Sequence, residues 1–162
     1  MAFDCFLKLD PIKGDSQDQN HKNEIDVLSF SLGFTQTGTG AYSTGSGGGK
    51  VSASDFSFVH RVDSAHPLLM QNCCTGEHID KAVLTLRKAG GPSALEYLVY
   101  TFEDVMVSSV QPGGSSAGDD VPLESVSLNY AKVSVDYQPQ ADTGSGSGTV
   151  HGGYDLKQNV TV

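Results

Sequence analysis

The sequence predicts a mainly β fold: a single small β-barrel of two packed sheets, with one short α-helix and long glycine-rich loops. Three observations predict it. Apolar residues recur with period two along most of the chain, the pattern of strands with one buried face. Glycine- and serine-rich stretches separate these segments, as surface loops do. Only one segment carries the frame of a helix. The 162 residues fit one domain and suffice to bury one core, so residues 1–162 are read as one unit.

The first strand is expected where Phe3, Cys5, Leu7 and Leu9 alternate with Asp4, Phe6 and Lys8. In the next, Leu28, Phe30, Leu32 and Phe34 alternate with Ser29, Ser31, Gly33 and Thr35. Further on, Ala82, Leu84 and Leu86 alternate with Val83, Thr85 and Arg87, and Leu98, Tyr100 and Phe102 with Val99, Thr101 and Glu103. Two segments change parity midway. Ile25 and Val27 share one face but Leu28 and Phe30 take the other, and Val126, Leu128 and Tyr130 give way to Ala131, Val133, Val135 and Tyr137. Because a one-residue slip moves every side chain across the sheet, bulges or sharp bends are predicted at Val27-Leu28 and Tyr130-Ala131. The helix is expected between Ser64 and Gly76. Ser64 offers a cap, Pro67 suits the first turn, Gly76 can end it, and Leu69 and Cys73 lie on one face. The total is roughly seven to nine strands, enough for a closed or nearly closed barrel. Large inward residues (Phe30, Phe34, Phe56, Phe58, Tyr100 and Phe102) predict a filled interior.

The formal charge of −9 repels phosphate-rich partners at long range, and Arg87-Lys88 is the only adjacent basic pair. Nucleic-acid binding is not expected. Apolar runs are as short as Tyr97-Leu98-Val99-Tyr100, so no membrane insertion is expected either. The opening Met1-Ala2-Phe3-Asp4-Cys5-Phe6-Leu7-Lys8 lacks the basic-then-apolar pattern of a cleaved secretion signal. Three cysteines, Cys5 and the adjacent Cys73 and Cys74, make a poor disulfide framework and read as reduced thiols.

Catalytic motifs fail on context. Gly114-Ser115-Ser116-Ala117-Gly118 matches G-x-S-x-G, but that chemistry needs a strand before the serine and a helix after it. Pro112-Gly113 and Asp119-Asp120-Val121-Pro122 fit neither. Gly45-Ser46-Gly47-Gly48-Gly49-Lys50 invites a phosphate-loop reading, but Thr44 and Val51 occupy positions that need glycine and a hydroxyl residue. His21, His60, His66, His78 and His151 form no zinc frame with each other or with the cysteines. They read as surface or half-buried side chains. Asp15, Asp18 and Glu24, and the pairs Glu103-Asp104 and Asp119-Asp120, read as solvated acids. No catalytic residue, cofactor or metal is expected.

Several blocks in register resemble one family. The run Lys13-Gly14-Asp15-Ser16 through Asn20-His21-Lys22-Asn23-Glu24-Ile25-Asp26-Val27-Leu28-Ser29-Phe30-Ser31 is similar to the opening of the haemolysin-coregulated (Hcp) tube proteins of bacterial type VI secretion. So are Gly49-Lys50-Val51 with Asp55-Phe56-Ser57-Phe58, Leu84 to Gly91 with Glu96-Tyr97-Leu98, and Glu103 to Val110. Val135 to Gln140 and Gly153 to Asn159 complete the resemblance. Phe30 departs from it, standing where tryptophan is expected.

The resemblance implies a homo-hexameric ring. Stacked rings would form the inner tube of an injection machine, with a contractile sheath and spike-tip proteins as partners and small effector proteins carried in the lumen. It further implies assembly in the cytoplasm, then secretion without a cleaved signal, and no enzyme activity. Ser29 and Ser31 are the expected lumen lining. The loop from Gly38 to Gly49, with Gly40, Gly45, Gly47 and Gly48, is expected to reach the next ring or subunit. Two other readings of the residues are a phage-like tail-tube protein and a soluble β-barrel carrier of small molecules.

Overall fold

A computed structural model describes residues 3–36, 50–90, 93–118, 120–140 and 148–162. In chain order its elements are β1 (Phe3–Lys8), β2 (Ile25–Asp26), β3 (Ser29–Ser31), β4 (Phe34–Gln36), β5 (Val51–Ala53) and β6 (Phe56–Arg61), then α1 (His66–Thr75). β7 (His78–Lys88), β8 (Glu96–Gly113), β9 (Leu123–Asn129), β10 (Lys132–Tyr137), β11 (Val150–Asp155) and β12 (Val160–Thr161) follow. The expected mainly β fold with one helix is present. Its strands are more numerous than expected, in part because the chain breaks where parity changes, while β7 and β8 extend beyond the alternating runs.

Ten strands form one antiparallel sheet in the order β12-β11-β10-β8-β7-β1-β2, from which β8 branches to β9, β6 and β3. β4 and β5 form a separate hairpin of two strands. There are thus two sheets, very unequal in size. The branch arises in β8, which is 18 residues long. Its first half pairs with β10 and its second with β9, while β7 runs along Glu96 to Met106. Asp104 takes a left-handed φ of 54° between the halves, and the register slips between Val107 and Ser109. Such irregularities bend a strand.

Among the described residues the strand ladders do not close into a ring, because β2 pairs with β1 whereas β3 pairs with β6. The parity change at Val27-Leu28 lies at that junction. The Val27 amide donates to the Cys5 carbonyl (2.9 Å), and the next amide, of Leu28, donates to the Val59 carbonyl (2.8 Å). Two consecutive residues therefore bond to opposite neighbours. The change at Tyr130-Ala131 is the tight connection between β9 and β10. There the Ala131 amide donates to the Glu103 carbonyl (3.1 Å).

The interior is filled by aromatic and branched side chains. Phe56, Phe58, Phe102, Leu7, Leu84, Val105, Val126 and Leu128 are at most 1% exposed. Phe56 and Phe102 stack with centroids 4.8 Å apart, an arrangement that adds to the area term. Phe30 and Tyr100 pack against this core. Phe34, expected inside, is 47% exposed, and Leu28 is 46% exposed. Leu28 lies in the junction outside any ladder, and Phe34 belongs to the separate hairpin.

α1 follows the predicted frame, with one correction. Pro67 sits in its first turn, and Gly76 ends it in the left-handed conformation, its amide donating to the Asn72 carbonyl. Ser64 is not the cap. Its amide and hydroxyl both donate to the Asp15 carboxylate; Ala65 takes the capping position without a side-chain cap, and its amide donates to Asp63 (2.9 Å). Leu69 is buried beneath the helix and Cys73 packs against the core, but Cys74 is exposed. The three thiols are free, and burial pushes the Cys5 thiol up to about 12. No helix among the described residues is long and apolar enough to cross a membrane.

Candidate functional site

An uncharged, partly to fully exposed surface covers the outward face of β3, β6, β9 and β8. Register puts Ser31 opposite Ser57, Ser57 opposite Ser127, and Ser127 opposite Ser109. The next row is Ser29, Val59, Ser125 and Gln111. The Ser57 and Ser127 hydroxyls hydrogen-bond at 2.9 Å across the strands. None of these eight side chains is charged, in a chain of formal charge −9. Charge enters only at the ends of the patch. At one end the Asp55 carboxylate accepts from the Ser108 hydroxyl (2.7 Å) and from Asn129 Nδ2 (3.0 Å). At the other, Arg61 lies opposite Leu123. Small hydroxyl side chains present a hydrated, low-relief surface that offers a passing molecule no ion pair.

A second surface is apolar. The β4–β5 hairpin leaves a groove of about 380 Å³ against the sheet, lined by Phe34, Val51, Tyr100, Val133, Val135, Tyr154 and Leu156. Nearby on the β10–β11–β12 side, Tyr137, Val150, Val160 and Val162 are exposed. β12 ends the order of the large sheet and, among the described residues, pairs only with β11. A free strand edge beside exposed apolar side chains is a common site of association.

Behind the serine face lies a polar cluster. His60 and Glu124 are cross-strand neighbours, both 0% exposed. His60 Nε2 is 2.8 Å from a Glu124 carboxylate oxygen, and His66 Nδ1 of α1 contacts the other. In a second polar cluster, Arg87 lies beneath the loop between β1 and β2. It bonds Asp18 and Asp4, and its guanidinium lies 5.0 Å from the centroid of the Phe6 ring. The His21 ring stacks on Phe6 at 4.3 Å and bonds Glu24 and Glu96.

The site residues expected from sequence divide clearly. Ser29 and Ser31 are exposed on β3, within the uncharged face. Gly38, Gly40, Gly45, Gly47, Gly48 and Gly49 lie outside the described residues, in the segment joining β4 to β5. Ser116 lies in the loop joining β8 to β9, so a strand rather than a helix follows it. Among the described residues no cluster of three or more side chains is arranged to hold a metal ion. Several groups read as solvated are not. Asp18 and Glu24 hold buried partners, Arg87 is 3% exposed, and His60 is fully enclosed. Alternation could have placed His60, which follows Phe56 and Phe58 at period two, and likewise Glu124, which precedes Val126 and Leu128.

The sequence matches the family described as type VI secretion system effector, Hcp, over residues 6–137. The chain belongs to the Hcp family. It is 47% identical to protein hcp1 of Pseudomonas aeruginosa over 161 residues, 99% of each chain. The solved structure of Hcp1 from Salmonella typhimurium is 42% identical, with a TM-score of 0.82 and full coverage of both chains. A solved type six secretion system protein, 29% identical, has a TM-score of 0.92 and covers 99% of this chain and 100% of its own. As an Hcp protein, the chain is a tube or effector component of type VI secretion.

Proposed function

We propose that this Hcp chain is the subunit of a hexameric ring, that rings stack into the inner tube of the secretion machine, and that the serine face of β3, β6, β9 and β8 lines the lumen. The carrying observation is that face, eight uncharged side chains from four adjacent strands. A lumen wall must let cargo enter and leave, so it must not bind it through fixed charges. Ser29 and Ser31 occupy the outer strand of the face, where a larger side chain would narrow the bore.

Closing a ring requires two different patches on each subunit. The groove under Phe34 and the β12 edge with its exposed valines are the apolar surfaces available for this. Each Å² of apolar area they bury contributes about 25 cal/mol. The loop from Gly38 to Gly49 contacts the next ring. The partners are other copies of this chain, the sheath, the spike tip and small effectors, and expulsion takes the protein out of the cell. A carrier function would need room inside the fold, which Phe56, Phe58 and Phe102 fill.

The test is Ser31→Gln. Rings of unchanged size that no longer retain co-expressed effector are expected. Retention equal to that of the native protein would remove Ser31 from the lumen.

A further inference from the structure

His60 Nδ1 is the one buried side-chain polar atom among the described residues without a hydrogen-bond partner. The atoms around it decide the protonation state of the ring. Nε2 lies 2.8 Å from a Glu124 oxygen, and toward an ionised carboxylate it is the donor and carries the proton. In a neutral ring Nδ1 would then be a lone pair. The group it meets is the Asp63 carboxylate, at 3.7 Å, beyond hydrogen-bond length but within ion-pair range. A lone pair facing an anion in a site closed to water is repulsive, and an orphaned buried acceptor bears its desolvation cost uncompensated. A proton on Nδ1 turns that contact into an attraction and gives both nitrogens a counter-charge.

The surrounding groups support the same state. From β9, Glu124 is fully buried and needs a cation. From α1, His66 approaches the second Glu124 oxygen, and no acidic residue occupies the first turn. Asp63, in the β6–α1 connection, is 12% exposed. From β8, the residue opposite Glu124 is uncharged Pro112. Asp15 and Asp26 lie beyond Asp63 around a shared depression with Arg61. Asp15 is held by Ser64, and Arg61 is exposed. Burial works against a charge on His60, but the Asp63 and Glu124 carboxylates outweigh it and raise its affinity for the proton.

We infer that His60 is a buried imidazolium in the folded protein, tying β6 to β9 and, through Glu124, to the first turn of α1, and that rising pH releases this tie. The direction follows from linkage. The folded ring holds its proton more tightly than an exposed one, so the contribution is complete below pH 6.5, the ordinary histidine value. It is lost as pH rises through the higher folded value. Glu124 is followed in β9 by Ser125 of the serine face, so the tie joins that face to the helix.

The protonation state can be read on the unaltered protein, labelled with ¹⁵N at histidine. Both His60 ring nitrogens are expected at protonated shifts at pH 6.5. One protonated and one bare nitrogen there would overturn the inference. Amide exchange over residues 66–70, corrected for its intrinsic pH dependence, gives the consequence. Above pH 6.5 it should accelerate by up to about tenfold per pH unit while the proton is being lost. His60→Gln keeps a donor for Glu124 but carries no charge, so its corrected exchange should be flat with pH. A flat native profile, or the same slope in His60→Gln, would also overturn it.

Discussion

Arg87 holds Asp18 in a two-pronged hydrogen bond, its two terminal nitrogens donating to the two carboxylate oxygens at 2.9 and 2.8 Å. The guanidinium also bonds Asp4, at 2.8 Å. Strand β1, strand β7 and the loop between β1 and β2 thus meet at one side chain that is 3% exposed. Parallel charged bonds of this kind are among the strongest polar contacts.

Arg87→Ala should cost about 3 kcal/mol, because it leaves the largely buried Asp18 without its cation under the loop. That corresponds to a melting temperature lower by roughly 10 °C. Arg87→Lys should recover only part of it, since an ammonium lacks the planar fork. Thermal unfolding followed by circular dichroism reads both. A loss below about 1 kcal/mol for Arg87→Ala would show that the loop is held by other contacts.

The same pair sets an acid dependence. The Arg87 hydrogen bonds hold Asp18 down to about 2, from an ordinary 3.8. A depressed acid stabilises fully above its unfolded value and loses that contribution as pH falls through the folded one. The native protein should therefore lose stability between pH 4 and pH 2. Asp18→Asn should be less stable at neutral pH and less sensitive across that window. Parallel pH profiles for the two proteins would contradict this.

Deleting residues 45–49 should leave the melting temperature within about 2 °C, since surface-loop length changes stability slowly. Stacking into tubes should fall, because the proposed contact to the next ring is shortened. Electron microscopy distinguishes rings from tubes, and unimpaired tubes would remove the loop from the stacking contact.

How far the sequence specified this molecule depends on what covers each strand. Alternation located the core wherever one face of the sheet meets water, as for Leu84, Phe102 and Leu128. The parity changes at Val27-Leu28 and Tyr130-Ala131 located the points where the chain exchanges one neighbour for another. Phe6 and Arg87 were misread as outward because alternation cannot show that residues 10–24 fold back across that face. His60 and Glu124 escaped for a related reason. Alternation puts each on the buried parity, but a polar type there reads as surface until the cross-strand pairing that makes its burial tolerable is known. Ser64 is not the cap because its hydroxyl is engaged by Asp15, and the capping position falls on Ala65, which offers no side-chain oxygen. The serine face was half legible. Ser29 and Ser31 could be placed outside the core, but their continuity with Ser57, Ser127 and Ser109 depends on a strand order that no local pattern encodes.

Ring formation underlies every assembly prediction made for this chain, and the solution mass of the purified protein, measured by light scattering during size exclusion, tests it most directly. Six copies of a 17.0 kDa chain weigh about 102 kDa. A species of that mass, seen as rings with an open centre by electron microscopy, is the predicted result. A single species of 17.0 kDa at every concentration, with no rings in the micrographs, would contradict it.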